Sequence, residues 1–145
     1  MEFNRILVPV AGTEADEPTL ALACKLAGKG KTTILGVHVI PVERSLPLDT
    51  EVATAISSAE DVMAQAQHTV AKLGCRLETE LLQARQVGPA IVDQAVERGV
   101  DLIIIGLGYK TRFGEFCLGC VAPYVMQNAP CPVLVFQQHN PEAVV

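Results

Sequence analysis

Asp101-Leu102-Ile103-Ile104-Ile105-Gly106-Leu107-Gly108-Tyr109 opens the segment whose reading decides the fold. Leu102–Ile105 is wholly apolar, which predicts a strand buried on both faces at the centre of a sheet. A glycine-bearing loop follows, and then a helix over about Gly119 to Asn128. Ala129-Pro130 breaks that helix, and Val133–Phe136 is the last predicted strand. Strand, loop, helix and strand therefore succeed one another within Asp101–Val135.

The chain before this segment repeats the alternation. Arg5-Ile6-Leu7-Val8-Pro9-Val10 predicts another strand buried on both faces, with Pro9 near its end because proline donates no ladder hydrogen bond. Thr13 with Asp16 resembles a capping box, and Leu20, Ala23, Cys24 and Ala27 recur at helical spacing until Gly28 and Gly30. Thr33–Ile40 is the second strand. A proline-bounded loop, Pro41 to Pro47, leads to a long helix capped by Asp49 or Thr50, striped by Ile56, Ala59, Met63, Ala66 and Val70, and ended by Gly74. Cys75 to Leu82 alternates, with Arg76, Glu78 and Glu80 opposite Cys75, Leu77 and Leu81, as suits an edge strand. Gly88-Pro89 begins a third helix, which Gly99 ends.

Strands alternating with helices in this way predict a three-layer α/β/α sandwich around a five-stranded parallel sheet. The apolar first and fourth strands belong at the centre, so the expected order is 3-2-1-4-5. The connections then reverse direction between strands one and four, where such folds bind ligands. Residues 1–145 are expected to form one domain.

Composition narrows the function. Half the residues are hydrophobic and 19% are charged, which marks a folded globular chain. A net charge of −5 and few aromatics argue against a nucleic-acid surface. No apolar run is long enough to span a bilayer, and Met1-Glu2-Phe3-Asn4-Arg5 lacks the features of a signal peptide, so a cytoplasmic location is expected. Five irregularly spaced cysteines do not suggest a disulfide framework.

Chemical motifs are few. There is no Gly-Lys-Ser/Thr for a P-loop, and only Gly12 stands where a dinucleotide fingerprint needs several glycines. Cys117-Leu118-Gly119-Cys120 lies at a helix start, where a thiolate is favoured, but no second ligand pair accompanies it, so incidental thiols are expected and no metal. Lys110 and Arg112 either pair an anion or stand as solvated loop charges. His38, at the end of the second strand, is expected to be a satisfied structural histidine. Glu43 and Arg44 either close over a pocket or lie on the surface. No triad or carboxylate pair can be placed, so the chain reads as non-enzymatic.

The last third resembles the universal stress protein family. The family's hallmark is G-x2-G-x9-G-[ST], set between the fourth strand and fourth helix and followed by A-P-C-P-V-x-V. Gly106 and Gly119 fall at the outer glycine positions, and Ala129-Pro130-Cys131-Pro132-Val133-Leu134-Val135 matches the closing strand. Arg5–Val10, Gly36-Val37-His38-Val39 and Gly88-Pro89-Ala90 extend the resemblance over nearly the whole chain.

The resemblance implies a regulatory or sensor domain that holds ATP or another adenine nucleotide in a modified site. In ATP-binding members, glycine backbone N–H groups and a helix start face the phosphates. The implied nucleotide positions are Pro9, Val10, Ala11 and Gly12, then Val39, Gly106, Gly108 and Tyr109, and finally Gly119, Cys120 and Val121. Three of them depart from the pattern: Ala11 replaces an Asp, Tyr109 the second glycine and Cys120 the Ser/Thr. Two alternatives follow from these departures. One is a protein-interaction module, without a nucleotide, that regulates a partner such as a membrane transporter. The other is a weak ATPase. The resemblance also implies a homodimer through the last strand, Val133, Leu134, Val135 and Phe136, whose apolar edge invites pairing.

Overall fold

A computed structural model of the chain describes residues 3–28, 30–107, 111–112, 115–116 and 121–137. In chain order the strands are β1 (Arg5–Pro9), β2 (Thr33–Pro41), β3 (Leu77–Ala84), β4 (Leu102–Leu107), β5 (Thr111–Arg112), β6 (Glu115–Phe116) and β7 (Val133–Gln137). The helices are α1 (Asp16–Ala27), α2 (Ala53–Lys72), α3 (Val87–Glu97) and α4 (Val121–Asn128). Five strands form one sheet in the order β3-β2-β1-β4-β7, every neighbouring pair parallel. This is the order expected from the sequence, with β7 as the fifth strand.

Alternation along the central strands makes the three layers. Ile6, Val8, Ile34 and Ile104 point to one face, where they pack with Leu20, Met63 and Val70 from α1 and α2. Leu7, Leu35, Ile103 and Ile105 point to the other, against Ile91 and Ala95 of α3 and Val125 of α4. Ile6, Leu7 and Val8 are all fully buried, so β1 has no polar position between its ends.

The central pair is closed at one end and open at the other. The Asp101 carboxylate accepts the N–H of Asn4 at 2.7 Å and of Arg5 at 3.0 Å, tying β1 to the start of β4. Ladder pairing between these strands covers Ile6 with Leu102 and Leu7 with Ile103. It stops before Pro9, which has no N–H to give. Beyond that point the C-terminal ends of β1 and β4 are free to border a crevice.

The structure corrects several local expectations. Thr13 does not cap α1: the helix starts at Asp16 after Ala15, without a side-chain cap. The Asp16 carboxylate instead turns back onto the preceding loop. Neither Asp49 nor Thr50 caps α2, which begins after Val52. β3 runs from Leu77 to Ala84, later than Cys75–Leu82, because the chain is still closing α2 at Cys75. Within β3, Leu77 packs on the α1 and α2 side and Leu82 on the α3 side, so the faces alternate, but Leu81 is exposed rather than covered. β4 extends to Leu107 and α3 starts at Val87, while α4 is described over Val121–Asn128 and its expected start at about Gly119 lies outside the described residues. The loop after β4 contains a short antiparallel ribbon, Thr111 opposite Phe116 and Arg112 opposite Glu115, where no strands were expected.

Candidate functional site

A cavity of about 520 Å³ opens at the C-terminal ends of β1, β2 and β4, where the strand order reverses. Its floor is Pro9, Val10 and Ala11 from β1 and the loop after it, with Gly106 and Leu107 from β4. Val37, His38, Val39 and Ile40 of β2 form one wall. The helices close it: Ala55 and Ser58 from α2, Val87 and Ile91 from α3, and Val121 and Ala122 from α4. Most of these side chains are apolar. His38 and Ser58 bring the polar side-chain atoms among the described lining residues.

His38 is held in one orientation. Its Nδ1 lies 2.7 Å from the carbonyl oxygen of Val10. A carbonyl only accepts, so Nδ1 carries the proton, and in the neutral ring Nε2 is an acceptor. The side chain is therefore both the structural histidine expected from the sequence and part of the cavity wall.

Asp16 secures the loop that forms the cavity floor. Its carboxylate accepts the N–H of Ala11 at 3.1 Å and of Gly12 at 2.8 Å. Burial pushes the Asp16 carboxyl above its ordinary range, against the opposing pull of these N–H donors and of His38. Gly12 completes the turn at φ 81°, a conformation that side chains disfavour. A Cβ there would also come within 2.8 Å of Val62.

Gly106 has a packing reason of its own. The hydroxyl of Thr19, buried in α1, donates to Ala15 O at 2.6 Å and occupies the space beside the Gly106 Cα. Only a residue without a Cβ fits between β4 and α1 at this point. The glycine that the sequence suggested for close phosphate approach is thus needed by the fold itself.

Of the residues singled out in the sequence, Pro9, Val10, Ala11, Val39, Gly106 and Val121 are brought together around the cavity. Gly12 lines a neighbouring cleft of about 390 Å³ between α1 and α2, together with Glu14, Asp16, Glu17 and Asp61. Gly108, Tyr109, Gly119 and Cys120 lie outside the described residues, as do Lys110 and Cys117. Apart from Val121 of α4, sequence reasoning did not find the helical walls. Their signal was present: Ala55 with Ser58 and Val87 with Ile91 are spaced to share one face of a helix. Arg44 lines a different and larger cleft, about 740 Å³, between β3 and α3. That cleft is broad and lies at the outer edge of the sheet, away from the strand-order reversal, so its size does not make it the ligand site.

Among the described residues, no group of three or more His, Cys, Asp or Glu side chains is arranged to hold a metal ion. No helix of the described residues is long and apolar enough to cross a membrane.

Comparison with known proteins supplies the context for this geometry. Residues 2–137 match the profile of the Universal stress protein family. A universal stress protein of Methanocaldococcus jannaschii is 25% identical over 146 aligned positions, covering 97% of this chain and 85% of that protein. Universal stress protein YxiE of Bacillus subtilis is 29% identical, covering 92% of this chain and 98% of its own. Among solved structures, the universal stress protein from Archaeoglobus fulgidus in complex with dAMP superposes with a TM-score of 0.73 at 26% identity, covering 93% of this chain and 98% of that one.

Proposed function

The chain belongs to the universal stress protein family, and on that premise we propose that it is a cytoplasmic regulatory domain binding an adenine nucleotide in the cavity between β1 and β4. The observation that carries this reading is the cavity itself, at the strand-order reversal and large enough for a nucleoside. The dAMP complex of the Archaeoglobus relative supports the ligand class. The apolar walls would receive the flat base, and the Nε2 acceptor of His38 is available to a ligand N–H or O–H. The phosphates would extend toward the start of α4, whose N-terminal dipole favours negative charge. Pro9, Val10, Ala11, Val39, Gly106 and Val121 are the described residues assigned to this site; Gly12 supports the loop from the next cleft.

The reading includes a homodimer across the free edge of β7. That strand pairs only with β4 among the described residues, and Leu134 on it is 39% exposed. An unpaired apolar edge is stabilised by pairing with its two-fold copy.

The deciding experiment is thermal unfolding with and without about 1 mM ATP, ADP or AMP. Ligand at roughly 100 times its dissociation constant adds about 2.7 kcal/mol, which moves the midpoint by several degrees. A shift with one of these nucleotides is expected. No shift with any of them overturns the nucleotide reading and favours the protein-interaction module.

A further inference from the structure

A second cavity, of about 260 Å³, adjoins the first at its β2 end. Ile40, Pro41 and Ala55 line both, so the two spaces share one apolar rim. Beyond that rim stand Val42 and Leu46 of the loop after β2, with Val52 and Ile56 where α2 begins. None of these four lines the first cavity. The loop is held as an arch over the space by β3. Gln83 pairs with Ile40 in the ladder, and its side-chain amide donates to Leu48 O at 3.2 Å and to Thr50 O at 2.7 Å. The Val42 N–H donates to Ala84 O at 2.8 Å, and inside the loop the N–H groups of Leu46 and Thr50 donate to Glu43 O and Pro47 O, each at 3.0 Å. An apolar space left unfilled forfeits the contacts its lining could make. A ligand that reaches into it offsets that loss.

On the nucleotide reading given above, on which this inference rests, we propose that the ligand is an adenine nucleotide whose exocyclic amine carries an apolar group, and that the second cavity holds that group. Strand order fixes which end of the ligand faces it. Across the site the strands stand in the order β2, β1, β4. The start of α4, assigned to the phosphates, follows β4, and Val121 and Ala122 there line the first cavity together with Gly106. The second cavity lies at the opposite side, against Ile40 and Pro41 of β2. A nucleotide with its phosphates at α4 therefore turns its base toward β2. In adenine the sugar is joined to the five-membered ring and the exocyclic amine to the far side of the six-membered ring. The amine is thus the part of the base nearest the shared rim.

The chemistry of the rim suits such a substituent. His38 lies on the same face of β2 as Ile40, two residues before it. A substituted amine keeps one N–H, which the Nε2 acceptor of His38 can receive. An oxo group at that place on the base would set acceptor against acceptor. Past the rim, Val42, Leu46, Val52 and Ile56 offer apolar contact, and both N–H groups of the Gln83 amide are engaged by the loop. The space accommodates a benzyl group or a short branched alkyl chain, and it rewards an apolar group over a polar one.

The test is titration calorimetry of the full chain with AMP and with AMP bearing a benzyl group on its exocyclic amine. The benzyl compound is expected to bind at least about tenfold more tightly than AMP. Val52→Trp fills the second cavity from the exposed side of α2, and there the advantage of the benzyl compound should vanish. Leu46→Phe fills the same space from the loop and is read in the same way, should the first variant fail to fold. AMP binding with no gain from the benzyl group overturns this inference and leaves the nucleotide reading standing. Binding of neither compound overturns both. A tenfold advantage that survives in a folded cavity-filling variant places the benzyl group elsewhere and also overturns the assignment.

Discussion

The Thr19 hydroxyl stands where a side chain on Gly106 would begin. A Cβ built on Gly106 would lie 1.9 Å from Thr19 Oγ1 and 3.2 Å from the carbonyl oxygen of Ala15. Both neighbours are fixed, because that hydroxyl already donates to that carbonyl within α1. Gly106→Ala therefore forces β4 and α1 apart and should cost about 3 kcal/mol. Thr19→Ala removes the nearest atom but leaves its Cβ close by, so it should recover part of the loss. A double-mutant cycle in urea checks the coupling; additive losses would show that the contact does not limit the site. Loss of nucleotide response in a Gly106 variant would consequently report folding as much as ligand contact.

Gly99 provides the contrast. It ends α3 at φ 61°, and a Cβ there meets nothing within 4 Å. Gly99→Ala strains the backbone without a clash, and its expected cost is about 1 kcal/mol. Chemical denaturation of the two glycine variants separates left-handed strain from steric overlap. Equal losses would contradict this distinction.

Ser58 is the position at which to close the cavity without disturbing the core. It is exposed on α2 yet contributes to the cavity wall. Ser58→Trp should fill part of the space and abolish the nucleotide-induced shift, while stability without ligand stays within about 0.5 kcal/mol. Titration calorimetry on the variant reads this directly. Unchanged affinity would move the ligand elsewhere.

Asp16 makes stability depend on pH in a direction opposite to that of an ordinary salt-bridged carboxylate. Its pKa is raised on folding from 3.8, chiefly by burial. The folded state therefore holds the proton more tightly than the unfolded chain. The resulting contribution is fully present below 3.8 and is lost as pH rises through the higher folded value. Asp16→Asn should remove this component from a series of unfolding midpoints measured across mildly acidic pH. An identical pH profile in the variant would show that Asp16 does not carry it.

The free edge of β7 gives a test of assembly. In the dimer proposed above, Leu134→Lys places a charge on the outer apolar strand, so the unsubstituted chain should sediment as a dimer and the variant as a monomer in analytical ultracentrifugation. A dimer that persists would assign the contact to another surface. By comparison, the pairs that Arg98 makes with Glu78 at 2.8 Å and Glu80 at 3.4 Å are solvent-accessible. Glu78→Gln should change stability by less than about 1 kcal/mol.

Much of this molecule was legible in its residues because the controlling effects are local or periodic. Ile6-Leu7-Val8 and Ile103-Ile104-Ile105 have no polar position, and only the centre of a covered parallel sheet leaves such runs without water on either side. Gly74 and Gly99 marked helix ends because a left-handed residue is needed to satisfy the last carbonyls. The crevice between β1 and β4 followed from strand order alone.

Tertiary structure decided what fills and shapes that crevice. Ala55 and Ile91 are far apart in the chain and meet at one cavity only after α2 and α3 dock on opposite faces of the sheet. Asp16 had the spacing of a helix cap, but the loop presents it with the N–H groups of Ala11 and Gly12, and two donors hold it there. The need for glycine at 106 depends on Thr19, a residue of another element, and Cys75 reaches the rim of the core under α1 and α2 only because Gly74 folds the chain onto Val70. Periodicity records which way a residue faces; the identity of its neighbour is settled when separate elements pack.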